Sequence, residues 1–457
     1  MKKIFFILIT ILLVTSCQQE KPKYIFYFIG DGMGVNQVLS TEMYLAAKNG
    51  NIGVDTLSFS RFPVATFSAT YSRYNAVTCS AAAGTALASG FKTKKGAIGM
   101  DSLLQAPLYS VAYYAKEFGK SVGIVTSVSI DHATPAAFYA HQPNRSMGYE
   151  IATDIVSSNF DFFAGSGFSQ CVKENRPNVL SLLKDTDYCV VYGYKDFLQC
   201  KKNAKKMVLL QNDSLLKLPY AIDRESEDLS LQQMTTAAIE CLEDNENGFF
   251  LMAEGGLIDW ACHSNDAATA IAEIVDFSNA VNVALDFYKK HPKETLIVVT
   301  ADHETGGIVL GTGEYSLDLA LLQYQKCSVN ELTNKISALR EQKNSTWEDL
   351  RYLLKENLGL WNEVALTSEE EKLLMALYNQ SFVKKSSLKV QNLYSENETI
   401  AQTAVEILNK KAKIGWTSYG HSAGLVPVYA IGFGAEYFMQ VRDNVEIPRK
   451  ILQLLNN

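Results

Sequence analysis

Three apolar runs of strand length end on acidic residues. YIFYFIG, from residue 24, leads into Asp31; FFLMA, from 249, leads into Glu254; ETLIVVT, from 294, leads past one alanine into Asp302 and His303. Runs that stay apolar without alternating belong to strands buried on both faces, so the chain must cover a sheet from two sides. SVGIVTSVS, FDFFAGSG, YCVVYGY, MVLLQ and VPVYAIGFG read as further strands, with helical stretches such as VNQVLSTEMYLAAKNG between them. The pattern predicts an α/β fold. In open α/β sheets the loops converge, and ligands collect, beyond the carboxyl ends of the strands. The acids are expected to meet there.

A helix starting near Leu257 would place Asp259 and His263 on one face, because positions four apart stack along a helix. Alone, the stretch EGGLIDWACH reads equally as a helix-terminal charge and a surface histidine. Taken with Asp31, Glu254, Asp302 and His303 it becomes a cluster that repels itself unless cations hold it, since unpaired buried carboxylates are costly. Oxygen and imidazole donors without thiolates suit zinc and magnesium.

GDGMG follows a strand and opens a helix, as a dinucleotide-binding loop does. The full fingerprint needs a further glycine where this chain has Val35, and Asp31 stands where a phosphate would lie. The glycines are read instead as room for a metal close to the backbone. In VTCSAAAGTALASG, Ser80 precedes a small-residue helix spanning 81–89. An N-cap is the plainer use of such a serine, but a helix N-terminus also favours phosphate carried there. Ser80 is not in a GxSxG elbow, which argues against an α/β-hydrolase.

The chain of 457 residues carries a formal charge of −7, which excludes a sequence-independent nucleic-acid binder. Its first residues, MKKIFFILITILLVTSCQQE, place an apolar run from Ile4 to Val14 after two lysines. That run is too short to span a bilayer and reads as a signal-peptide core. Val14-Thr15-Ser16-Cys17 resembles a bacterial lipoprotein box, so 1–17 is expected to be a signal peptide with lipidation at Cys17. Residues 18–23 would be a tether, and the protein would be exported to a periplasmic or cell-surface site on a bacterial membrane. The seven other cysteines are odd in number and form no CxxC, so neither a disulfide framework nor a thiolate zinc site is expected. Residues 316–413 are rich in Leu, Glu, Lys, Gln and Asn with helical periodicity and read as a helical insertion, leaving 24–315 and 414–457 as the catalytic core.

GDGMG, VTCSAAAGTALASG, DHATPAAFYAH with Arg145, EGGLIDWACH, TADH and YGHSAG together, and in this order, resemble alkaline phosphatase. The resemblance spans about Tyr24 to Gly307 and Gly415 to Gly434. It implies a mixed, mostly parallel central sheet with helices on both faces, and a phosphomonoesterase acting through phosphoserine on Ser80. It further implies two zinc ions about 4 Å apart, serving the two ends of an in-line displacement. One would take Asp259, His263 and His421; the other Asp302, His303 and Asp31, touching the Ser80 oxygen. A magnesium would share Asp31 with Thr134 and Glu254. His132 stands where members carry either Asp or His, so another divalent metal is open for that third site, and Asp131 is a rival to His132. Arg145 would grip phosphate. Three divalent cations and Arg145 would exceed the four carboxylates by three charges, which a phosphate-monoester dianion and an ionised Ser80 would offset. Homodimerisation is implied by the family alone.

Two departures stand out. Cys79 occupies the position where the family usually has Asp, a residue that helps hold the arginine. Trp260 lies between two metal-site residues and is a candidate substrate contact at the pocket mouth, or a packing residue. The alternative functions at this level are a two-metal phosphodiesterase or sulfatase-like relative, and a surface protein that binds metal or phosphate without turnover. Relatives of the first kind tend to lack the Thr134 and Glu254 equivalents.

Overall fold

The computed structural model describes residues 21–456 except 203, 212–216, 314 and 387. The signal-like segment 1–17 with Cys17, and residues 18–20 of the tether, lie outside the described residues. Among the described residues nine strands form the central sheet. They are β1 (Tyr24–Gly30), β2 (Val64–Ser68), β3 (Ser121–Thr126), β4 (Phe162–Gly165), β5 (Tyr188–Tyr192), β6 (Lys206–Leu210), β7 (Phe249–Gly255), β8 (Thr295–Ala301) and the strand Val426–Gly432. Their order is β2, Val426–Gly432, β8, β1, β7, β3, β4, β6, β5. Only Val426–Gly432 runs against its neighbours, antiparallel to both β2 and β8. The sheet is therefore mixed and mostly parallel.

Burial explains the apolar runs. Every residue of β1, β7 and β8 is buried. Along β1, Ile25, Tyr27 and Ile29 enter one hydrophobic core while Tyr24, Phe26 and Phe28 enter another on the opposite face. A period of two thus feeds two cores, which an unbroken apolar run permits. The strand Val64–Ser68 escaped the sequence reading because it is an edge strand with a half-exposed pattern. The helix Ala267–Lys290 is long and apolar enough to cross a membrane by composition. It is instead a core helix, setting Ile274, Phe277, Ala280, Val281 and Ala284 against the sheet.

Residues 316–413 form the helices Val329–Glu341, Trp347–Leu358, Ser368–Tyr378 and Thr399–Lys411. Ser328, Thr346 and Thr367 cap the first three, the latter two in full capping boxes. These helices share a third core, joined to the rest of the chain through Ala267, Ala268, Ile271 and Ile308. The segment is not wholly helical: a hairpin of Lys389–Gln391 and Glu396–Glu398 precedes the last helix, and its turn bears on the site below.

Candidate metal centre

Register brings the acids together. Gly30 pairs with Gly255 on one side and Ala301 on the other, and Thr126 pairs with Glu254. The carboxyl ends of β1, β3, β7 and β8 are therefore level, and Asp31, Glu254 and Asp302 emerge at one edge. Gly32 has φ +72°, and a Cβ there would lie 2.9 Å from the Asp259 backbone. The room kept by this glycine is for the helix carrying Asp259, where a metal had been expected. Its N–H donates to Asp302 Oδ1 at 3.1 Å.

Three groups of donor atoms converge, each within 4.8 Å: Asp259, His263 and His421; Asp31, Asp302 and His303; Asp31, His132 and Glu254. In the first, the helix Leu257–His263 puts Asp259 and His263 on one face, with His263 Nε2 3.4 Å from Asp259 Oδ2. His263 Nδ1–H donates to the Tyr419 carbonyl at 2.5 Å, and His421 Nδ1–H donates to the Thr78 carbonyl at 3.0 Å. Both rings thus present Nε2 lone pairs inward, 3.2 Å apart. Such outer partners fix the tautomer of metal-binding histidines.

In the second group His303 Nε2 lies 3.4 Å from Asp31 Oδ1 and 3.3 Å from Asp302 Oδ2. Ser80 Oγ is 3.3 Å from the same nitrogen. Ser80 is the first residue of the helix Ser80–Ser89 and fully buried; Cys79 holds the cap position, so the plain N-cap reading does not apply. Thr305 donates to Asp259 Oδ1 at 2.5 Å and lies 3.2 Å from His303 Nδ1, coupling the first two groups.

In the third group His132 Nδ1 is 3.8 Å from Glu254 Oε1. Thr134 Oγ1 lies 3.4 Å from Asp31 Oδ2 and equally far from Asp302 Oδ2, and Thr126 donates to Glu254. Asp131 is turned away: its carboxylate accepts from the Ser169 and Gln170 backbone N–H groups and holds their loop.

The electrostatics call for cations. Burial, then Asp302, Asp259 and Glu254, push the Asp31 carboxyl well above its usual range. Burial, then Asp259, push Asp302 up to about 8. Burial holds His303 well below the ordinary imidazole value, so its lone pair is available. Among the described residues Asp31 Oδ1, His132 Nδ1, Glu254 Oε1 and Asp259 Oδ2 are buried without a hydrogen-bond partner. Orphaned polar atoms of this kind are rare unless an ion satisfies them. The donor set fits divalent metals.

Arg145 Nη2 donates to His132 Nε2 at 3.0 Å and to Tyr394 Oη at 3.2 Å. Cys79 Sγ accepts from Gly96 N at 3.4 Å. Trp260 is 8% exposed; its indole stacks on Tyr394 at 4.4 Å and 8°, with the Lys217 ammonium over the ring system at 5.7 Å. It packs beneath the site, and little of it is left for a substrate. His141 Nδ1 bonds the Gly99 carbonyl, and His291 pairs with Glu294. None of the seven described cysteines is in a disulfide. Sequence reasoning missed Thr126, Thr305 and Tyr394. Thr305 lies two residues past His303 and was within reach of a motif search, whereas Tyr394 comes from a segment with no motif.

The sequence matches the family described as alkaline phosphatase over residues 22–456. It is 34% identical over 449 residues to Alkaline phosphatase 3 of Bacillus subtilis, covering 96% of this chain and 90% of that protein. The structure is similar to a cold-active alkaline phosphatase from a psychrophilic Shewanella species, with a TM-score of 0.81 and 30% identity over 94% of this chain and 99% of that one. It is also similar to the TAB5 alkaline phosphatase, solved as a histidine-to-aspartate variant with magnesium in its M3 site (TM-score 0.67, 28% identity, 96% of this chain and 99% of that one). With agreement across nearly its whole length, on a site whose donors call for divalent cations, the chain belongs to the alkaline phosphatase family of metal-dependent phosphomonoesterases.

Proposed function

We propose that this phosphomonoesterase works through a phosphoserine on Ser80, with two Zn2+ and one Mg2+. One zinc would be held by Asp259, His263 and His421, the other by Asp31, Asp302 and His303. The third cation would be held by Asp31, Glu254 and Thr134, with His132 admitting another divalent metal. Bound there, the cations supply positive charge that lowers hydroxyl pKa values and offsets charge on the oxygens of the displacement. The observation carrying the reading is Ser80 Oγ, 3.3 Å from His303 Nε2, where two carboxylate oxygens lie equally near. A nitrogen so surrounded is a metal ligand rather than a free base for the serine.

Ser80 Oγ attacks phosphorus, the Oγ–P bond forms, and the ester oxygen leaves as an alcohol. Arg145 donates to non-bridging oxygens, and the helix N-terminus at Ser80 favours the anionic phosphoryl group. Water then attacks phosphorus, the Oγ–P bond breaks, and orthophosphate is released.

Comparison of p-nitrophenyl phosphate with bis-p-nitrophenyl phosphate tests this. The expected kcat/KM favours the monoester by at least about 100-fold, since only the dianion matches the charge of the site. A preference for the diester would favour the phosphodiesterase reading. Zinc and phosphate binding without turnover of either ester would favour a binding protein. The further proposal is export with a lipid anchor at Cys17, supported by the apolar run and the Val14-Thr15-Ser16-Cys17 box, and assembly as a homodimer.

A further inference from the structure

We infer that Tyr394 is a positioning residue for Arg145, and that through it the segment 316–413 takes part in capturing the substrate phosphate; this rests on the phosphomonoesterase reading. Tyr394 lies in the turn of the Lys389–Gln391 and Glu396–Glu398 hairpin, remote in sequence from every motif of the site. Its hydroxyl accepts from Arg145 Nη2 at 3.2 Å and stands 3.4 Å from His132 Nε2. Among the described residues no hydrogen bond engages Arg145 Nε or Nη1, so these donors remain for a ligand.

Two features make Tyr394 a firm support. Its ring stacks on Trp260 at 4.4 Å and meets His263 edge-on at 5.3 Å. The turn is also pinned: Asn392 Oδ1 accepts from the Tyr394 and Ser395 N–H groups, while Asn392 Nδ2 donates to Ser264 Oγ at 3.0 Å. Ser264 follows the metal-group residue His263, so the hairpin turn is tied to the helix that carries part of the metal centre. The arginine needs such a brace because Cys79, beside the nucleophile, directs its sulfur to Gly96 N and offers no carboxylate. A guanidinium held at Nη2 loses less freedom when its other donors bind phosphate, which is the advantage of preorganisation.

Tyr394→Phe keeps the stack and removes the hydroxyl. In the full chain loaded with zinc and magnesium, KM and the inhibition constant for inorganic phosphate are expected to rise about tenfold, with kcat changed less than about threefold. The same substitution on an Arg145→Ala background should add nothing. Calorimetric titration with inorganic phosphate reads the same loss without turnover, so a failure of the hydrolytic reading would be seen separately. In Tyr394→Phe, Cys79→Asp should restore phosphate affinity by giving the arginine a carboxylate. Equal losses with and without Arg145, or a loss of bound metal that accounts for the weaker phosphate binding, would overturn the inference.

Discussion

Ser80→Ala is expected to lower kcat/KM for a phosphate monoester by about 10^4- to 10^6-fold, while zinc content and phosphate affinity stay near those of the parent. Removing a nucleophile in a preorganised site typically has this effect, and what remains comes from binding and charge stabilisation. The separation of turnover from binding follows from the geometry. Among the described residues Ser80 Oγ hydrogen-bonds the donor cluster at His303 Nε2, and the three donor groups are complete without it. Alanine keeps the helix start intact, because Cys79 occupies the cap position and no side-chain cap bond is made there. Acid quenching of the parent during turnover, followed by peptide mass analysis, should find one phosphoryl group on the peptide carrying Ser80 and none in the variant. Retention of a tenth or more of parental activity by Ser80→Ala would exclude the serine as nucleophile.

How much of this was legible in the sequence depends on where each interaction is local. The strands β1, β3, β7 and β8 announce themselves because burial on both faces demands unbroken apolar runs, and their level ends then place Asp31, Glu254 and Asp302 together. Asp259 and His263 are legible through the four-residue spacing of one helix. The second layer is not. The carbonyls of Tyr419 and Thr78 that orient His263 and His421 carry no side-chain signal, since any residue has a carbonyl. Tyr394 arrives from a three-residue strand pair inside a helical segment, with no periodicity to mark it. Trp260 is open in the sequence between substrate contact and packing, because a position between two ligands on one helix does not say where the indole goes; in the structure it stacks on Tyr394, a partner from a distant segment. The Asp131 and His132 alternatives, adjacent in sequence, are separated only by which side of the loop each faces.

Removing divalent cations with a chelator is expected to abolish hydrolysis, by about 10^3-fold or more, and to make the folded chain sensitive to alkaline pH. The second effect follows from the carboxylates. Without cations, burial and Asp259 push Asp302 up to about 8, and burial and its acidic neighbours push Asp31 well above the usual range. The folded chain then binds protons that the unfolded chain releases near pH 4. Stability is fully present below the unfolded value and is lost as pH rises toward the folded value, by an amount on the order of several kcal/mol. Cations bound by the folded state replace those protons and remove the pH slope, while adding stability by mass action. The expected result is a melting midpoint that falls by at least about 5 °C between pH 6 and pH 9 for the chelated chain and changes little for the loaded one. Asp302→Asn should flatten the slope in the chelated protein, since an amide neither ionises nor repels Asp31 and Asp259. It should also lose metal from the Asp31, Asp302 and His303 group, and with it the activity. A chelated chain that keeps full turnover, or melts identically at both pH values, would mean that the orphaned oxygens and imidazoles are stabilised by something other than divalent ions.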